Sequence, residues 1–188
     1  QNSDFKYLVG TNEPEAILVL CPQNKDFHEC LFVRPNHKEQ EMWSGRRLGV
    51  EGTQDLLQMP VFSLREWQPK VQELLKNHEG IHLDLFGDKK LLETMIKLSK
   101  NLKQQSRRAD FNFPRGIFDL GDSLGRQKLV KDQNEVLNIK EALKVTTQAH
   151  KCAMALCGPG KNEKELTSII EYLFNRYAEG VAYENIVA

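Results

Sequence analysis

Met42-Trp43-Ser44-Gly45-Arg46-Arg47-Leu48-Gly49 sets a large aromatic and two guanidinium groups between glycines. Tryptophan offers wide stacking area at little entropic cost, and arginine is the side chain that joins it most often in binding hot spots. A segment of this composition can act as a rigid edge that contacts a peptide. The same residues also suit an anchored loop, with Trp43 packed on the core and the arginines paired with Glu39 and Glu41. Composition leaves both readings open.

The other chemistry-bearing residues point to structure. Gly158-Pro159-Gly160-Lys161 is the nearest approach to a phosphate loop, but it follows a helical pattern instead of a strand. His78 and His82 stand four apart with Gly80 between them, which breaks any shared helical metal face. His150 falls near an apolar helix face and reads as a core histidine. Cys21, Cys30, Cys152 and Cys157 show neither a CxxC nor a metal-ligand spacing, so reduced thiols are expected. Cys152 and Cys157 lie on different faces of one helix and are expected to be small buried hydrophobes. Asp119 and Asp122 sit among glycines, where carboxylates commonly cap turns. Arg107-Arg108 ends a lysine-rich helix, a favourable place for cations.

The elements that position these residues begin as strands. Residues 5–9 (FKYLV) read as a short β run, and 16–21 (AILVLC) as a strand buried on both faces. Residues 30–33 (CLFV) read as its antiparallel return. Ser63 and Glu66 suggest a capping box opening a helix with Leu64, Trp67, Val71, Leu74 and Leu75 on its apolar side. Residues 81–86 alternate as a half-buried strand, and 89–106 as a basic amphipathic helix whose apolar side holds Leu91, Leu92, Met95, Ile96, Leu98 and Leu102. Strands alternating with helices imply an α/β layer. Residues 111–125 carry Pro114, Gly116, Gly121 and Gly125 and read as a linker, with a domain boundary expected within 122–132.

Two helices follow. Asp132 with Glu135 opens one that runs to about Cys157, where Gly158-Pro159-Gly160 stops it. Asn162 with Glu165 opens the next, whose Leu166, Ile169, Ile170, Leu173, Phe174 and Tyr177 form one stripe ending before Gly180. Two helices cannot hide that stripe between themselves, so a sheet is expected to cover it, with 183–188 (YENIVA) as its first strand.

The chain has 188 residues, 26 Lys plus Arg against 26 Asp plus Glu, and a mean hydropathy of −0.52. Area scaling lets about seventy per cent of the unfolded surface be buried, enough for a real core. Zero net charge argues against a nucleic-acid partner, and the longest apolar run is too short to span a membrane. No initiator methionine or leader pattern opens the chain at Gln1, and its last residues are apolar, so it is expected to be an excerpt of a longer protein.

Several segments resemble one family in order. Gln1-Asn2-Ser3-Asp4-Phe5, Tyr7-Leu8 and Asn12-Glu13-Pro14-Glu15-Ala16 are similar to the opening of bacterial aminopeptidase P, the Xaa-Pro aminopeptidase of the creatinase/prolidase group. Leu31-Phe32-Val33-Arg34-Pro35 and then Glu41 to Gly49 resemble its most recognisable N-domain signature. Lys131, Glu135, Ala142, Ala149, Gly158-Pro159-Gly160 and Ala182 to Ala188 are similar to the start of its catalytic domain. Residues 61–106 match in pattern only. Lys6 and Thr11 depart from the aromatic residues usual at those places.

The resemblance implies an α/β fold. Residues 1–125 would be a ribonuclease-H-like (creatinase N-terminal) domain with a mixed sheet and flanking helices. Residues 126–188 would be the first helices and strand of a pita-bread catalytic domain. It implies release of the N-terminal residue from peptides with proline second, by a hydroxide activated at two Mn2+ ions. The family's Asp-Asp-His-Glu-Glu ligands have no counterpart in these residues, so the chain alone is expected to bind no catalytic metal and to be inactive. Tyr183 matches a tyrosine lining the dinuclear site. Trp43 matches a substrate-binding tryptophan placed at a neighbouring subunit's active-site mouth, which implies a dimer or tetramer, in the cytoplasm. The competing expectation is a creatinase-like fold serving as a non-catalytic peptide- or protein-binding module.

Overall fold

The computed structural model describes residues 3–11, 13–36, 41–43, 45, 47–187. Its organising element is a strand that alternates between two cores. β1 (Ile17–Leu20) runs antiparallel to β2 (Glu29–Val33), and β2 runs parallel to β3 (Val61–Ser63), giving a mixed sheet in the order β1-β2-β3. Leu31 and Val33 join Val61 on one face, where Phe5, Val9, Leu18, Val50 and Leu57 pack against them. Cys30 and Phe32 point to the other face, with Val71, Ile81, Leu83, Met95 and Leu98. Successive side chains of a strand point to opposite faces, so one strand can seed both layers.

This corrects the reading of 16–21. The strand buried on both faces is β2; β1 lies at the end of the strand order, and its Leu20 is 54% exposed. Residues 5–9 are not a strand either. They belong to helix α1 (Ser3–Val9), because Phe5 and Val9, four apart, share the face that packs on Leu31 and Val33.

Helix α2 (Gly49–Leu57) leads into β3. Ser63 caps the next segment by accepting from the Arg65 N–H at 3.3 Å, but Glu66 does not close a capping box. A 3-10 turn over Leu64–Glu66 comes first, followed by α3 (Trp67–Leu74) with Val71 buried. A second sheet pairs β4 (Gly80–Leu83) in parallel with β5 (Gly116–Asp119). The crossover between them is α4 (Lys89–Gln105), capped by Asp88, which accepts from the N–H groups of Lys90 and Leu91. Met95, Leu98 and Leu102 of α4 are buried, while Ile96 turns outward.

β5 lies inside the stretch read as a linker. Its glycine is a packing feature: a Cβ on Gly116 or on its partner Gly80 would meet the Phe118 ring at 2.7 Å. Asp119 caps the turn that follows, accepting from Leu85 N–H at 3.2 Å and Gly121 N–H at 3.0 Å. Helix α5 (Gly121–Leu129) continues from there.

The chain divides into two compact units, Gln1–Gly125 and Arg126–Ala188. The second is a helical hairpin of α6 (Gln133–Leu156) and α7 (Glu163–Tyr177), packed against each other. Both open with full capping boxes, Asp132 with Glu135 and Asn162 with Glu165. The stripe on α7 is not hidden: no residue of that helix is buried, and Ala149 is the only buried residue of α6. His150 and Cys157 are exposed and Cys152 is half-buried, contrary to the expectation of core positions. Residues 183–187 form no strand, and Ala188 lies outside the described residues. Among the described residues no helix is long and apolar enough to cross a membrane.

Candidate functional site

Three sequence segments converge in the first unit. Glu13 follows α1, and its Oε1 accepts the N–H of Leu48 at 2.9 Å, joining residues 35 positions apart. Two residues on, the Glu15 carboxylate pairs with the Arg34 guanidinium at the end of β2. Leu48 is the N-cap residue of α2, and its own side chain makes no cap. Glu13 therefore supplies, from a distant part of the chain, the acceptor for the N-cap N–H that a Glu or Gln at the third helical position supplies in a capping box, and it sets a carboxylate at the positive end of a helix.

Gly49 is required by its surroundings. It has φ +64, a left-handed conformation, and a Cβ there would run into the Asn36 side-chain amide. Gly45 also adopts a left-handed φ, +82. Trp43 ends the short helical turn at 41–43, just ahead of Gly45.

Trp43 is 90% exposed. The anchored-loop reading, in which it packs on the core, is thereby corrected. Glu41 Oε1 is buried without a hydrogen-bond partner among the described residues. Glu39, Ser44 and Arg46 lie outside the described residues, and with them the expected pairing of the arginines with Glu39. A large ring held in solvent next to a rigid turn is suited to stacking on another chain.

Two polar groups escaped sequence reasoning. Glu13 is 7% exposed with its Oε2 unpartnered, and Thr53 on α2 is fully buried with its Oγ1 unpartnered, both among the described residues. Glutamate and threonine are ordinarily surface residues, so composition gave no signal.

Tyr183 belongs to the second unit, in an irregular stretch after α7, and is 79% exposed. Among the described residues no group of three or more His, Cys, Asp or Glu side chains is placed to hold a metal ion.

These features define an α/β domain in which an exposed Trp43 precedes a helix whose start is tied to a buried glutamate. Residues 1–82 match the family model described as aminopeptidase P, N-terminal domain. The chain as a whole is similar to Xaa-Pro aminopeptidases over its full length. It is 31% identical to the Xaa-Pro aminopeptidase of Haemophilus influenzae and 30% identical to that of Escherichia coli, covering 100% of this chain and 41% and 43% of those proteins. Among solved structures, Pseudomonas aeruginosa aminopeptidase PepP superposes with a TM-score of 0.86 at 29% identity, covering 94% of this chain and 40% of that one. A zinc-substituted E. coli aminopeptidase P in complex with product gives a TM-score of 0.85 at 30% identity, with 94% and 40% coverage. The chain thus spans about two-fifths of the length of these relatives.

Proposed function

We propose that this chain is the N-terminal part of an Xaa-Pro aminopeptidase, which releases the first residue of peptides with proline second. The observation that carries the reading is the unbroken similarity to such enzymes over 100% of the chain. Residues 1–125 are the N-terminal domain, of ribonuclease-H-like type, and 126–188 open a pita-bread catalytic domain. The apolar stripe of α7 supports that assignment: Leu166, Ile169, Ile170, Leu173 and Phe174 are only half-buried and Tyr177 is exposed, which leaves apolar surface for a further layer to cover.

In the whole enzyme a pair of Mn2+ ions supplies Lewis-acid and nucleophile-generating chemistry, held by residues that relatives carry beyond the span matched here. The part played by this chain is positioning. Trp43 offers its ring to the peptide at the active-site mouth of a neighbouring subunit in a dimer or tetramer, and Tyr183 lines the catalytic pocket. The enzyme works in the cytoplasm.

The test is an assay of the longer protein on matched Xaa-Pro and Xaa-Ala peptides, with manganese and with a chelator. Release of the first residue from the Xaa-Pro peptide alone, lost on chelation, is expected, and residues 1–188 expressed alone should be inert. Binding of the proline peptide without cleavage by metal-loaded protein overturns the enzyme reading in favour of a binding module. So does a continuation of the sequence without two Asp, a His and two Glu in family order.

A further inference from the structure

We propose that Glu13 is the positioning residue of the Trp43 arm: its buried carboxylate pins the start of α2 and thereby fixes the exposed segment ahead of it. A carboxylate this deep is costly to desolvate, and a hydrocarbon side chain would fill the volume without that cost. What the hydrocarbon could not do is accept a hydrogen bond. Glu13 Oε1 takes the Leu48 N–H at 2.9 Å, and Leu48 stands five residues after Trp43. The side chain of Leu48, the N-cap residue, makes no cap of its own.

The neighbourhood makes this contact a clamp instead of a loose tie. Glu15, two residues beyond Glu13, is held to Arg34, so the carboxylate is presented from a fixed backbone. On the other side Gly49, with φ +64 and Asn36 packed over it, sets the direction in which the chain enters the helix. The arm therefore has one end fixed by a directed hydrogen bond, while Trp43 at the other end is 90% exposed. Releasing the Leu48 N–H loosens the join between α2 and the residues ahead of it without touching Trp43. That this stretch meets substrate rests on the function proposed above; that Glu13 holds it does not.

Limited trypsin digestion of the folded protein separates the two. Arg46-Arg47 lies inside the arm, and Arg65 and Arg107-Arg108 lie outside it. Glu13→Leu, which keeps volume and loses the acceptor, should be cut after Arg46 and Arg47 at least about tenfold faster than wild type. Glu13→Gln keeps an oxygen acceptor and should stay within about threefold. Cutting after Arg65 and Arg107 should be unchanged in both. If Glu13→Leu does not fold, Glu13→Asp, which withdraws the carboxylate by one methylene, should show the same selective rise. Unchanged cutting at Arg46-Arg47, or an equal rise at every arginine, overturns the proposal. In the longer enzyme Glu13→Leu should raise KM for extended peptides as Trp43→Ala does, and the double variant should add nothing to the single ones. Selective cutting with unaltered KM keeps Glu13 as the clamp and removes peptide contact from the arm.

Discussion

Cys21 Sγ lies 3.4 Å from His78 Nε2, a contact between residues 57 positions apart, and His78 Nδ1 donates to the Lys76 carbonyl at 3.0 Å. A carbonyl only accepts, so the proton of the neutral ring sits on Nδ1 and Nε2 accepts from the thiol. The arrangement has the outline of a nucleophile, a base and an orienting group. Its electrostatics do not. Burial pushes the Cys21 thiol up, against a smaller opposing effect from the Asn24 backbone. Burial, then Cys21, pushes the nearby Cys30 up to about 11, opposed by Lys70. Both remain protonated at neutral pH, and a thiol is a poor nucleophile.

Thiol labelling checks this. At pH 7.5 a disulfide reagent should modify Cys157 first, Cys152 more slowly, and Cys21 and Cys30 only on unfolding, read by peptide mapping. Rapid modification of Cys21 would mean that His78 activates it. Because the folded Cys30 keeps its proton above the ordinary thiol range, its stabilising effect holds at neutral pH and fades as pH climbs towards about 11.

Strand position sets a second expectation. Phe32 is fully buried in the central strand, whereas Leu20 is largely exposed on β1. Phe32→Ala should cost about 3–5 kcal/mol and Leu20→Ala no more than about 0.5 kcal/mol in urea unfolding. Equal losses would contradict the placing of β2 at the centre.

Local signals in the sequence translated into structure where the physics is local. The capping boxes at Asp132 and Asn162 need only residues three apart, and both form as read. Residues 5–9 were misread because aromatic and β-branched composition favours a strand in isolation, while packing of Phe5 and Val9 on the β2 face decides for a helix. β5 was missed because Gly116 looks like a linker residue until the Phe118 ring is seen lying over it. Trp43 was legible as a candidate but its exposure was not. Glu13 gave no sign of its role, since the hydrogen bond that defines it reaches Leu48 across the fold.

The capping box of α7 should respond to acid. Glu165 is held below its ordinary value by the hydrogen bond from Lys161 at 2.9 Å, by the Asn162 N–H, and by the lysine charge. A depressed folded value means that the unfolded chain binds the proton first, so the contribution is present at neutral pH and lost as pH falls through the folded value. In a carbon-detected NMR titration Lys161→Ala should move the Glu165 midpoint upward. No upward movement would show that Lys161 is not the main cause.

The exposed Trp43 carries the last expectation, which concerns the longer enzyme under the function proposed here. Its ring contributes nothing to the core, so Trp43→Ala should leave the melting temperature within about 1 °C. If the ring stacks on peptide residues remote from the scissile bond, it binds ground state and transition state alike. Such an interaction appears in KM and leaves kcat little changed. Trp43→Ala should therefore raise KM for peptides of four or more residues by about tenfold, corresponding to loss of one stacking contact, and leave that for a dipeptide unaltered. Trp43→Phe should recover most of the difference. A fall in kcat with KM unchanged would place the ring at the reacting centre, and unchanged kinetics on every peptide would remove Trp43 from the site.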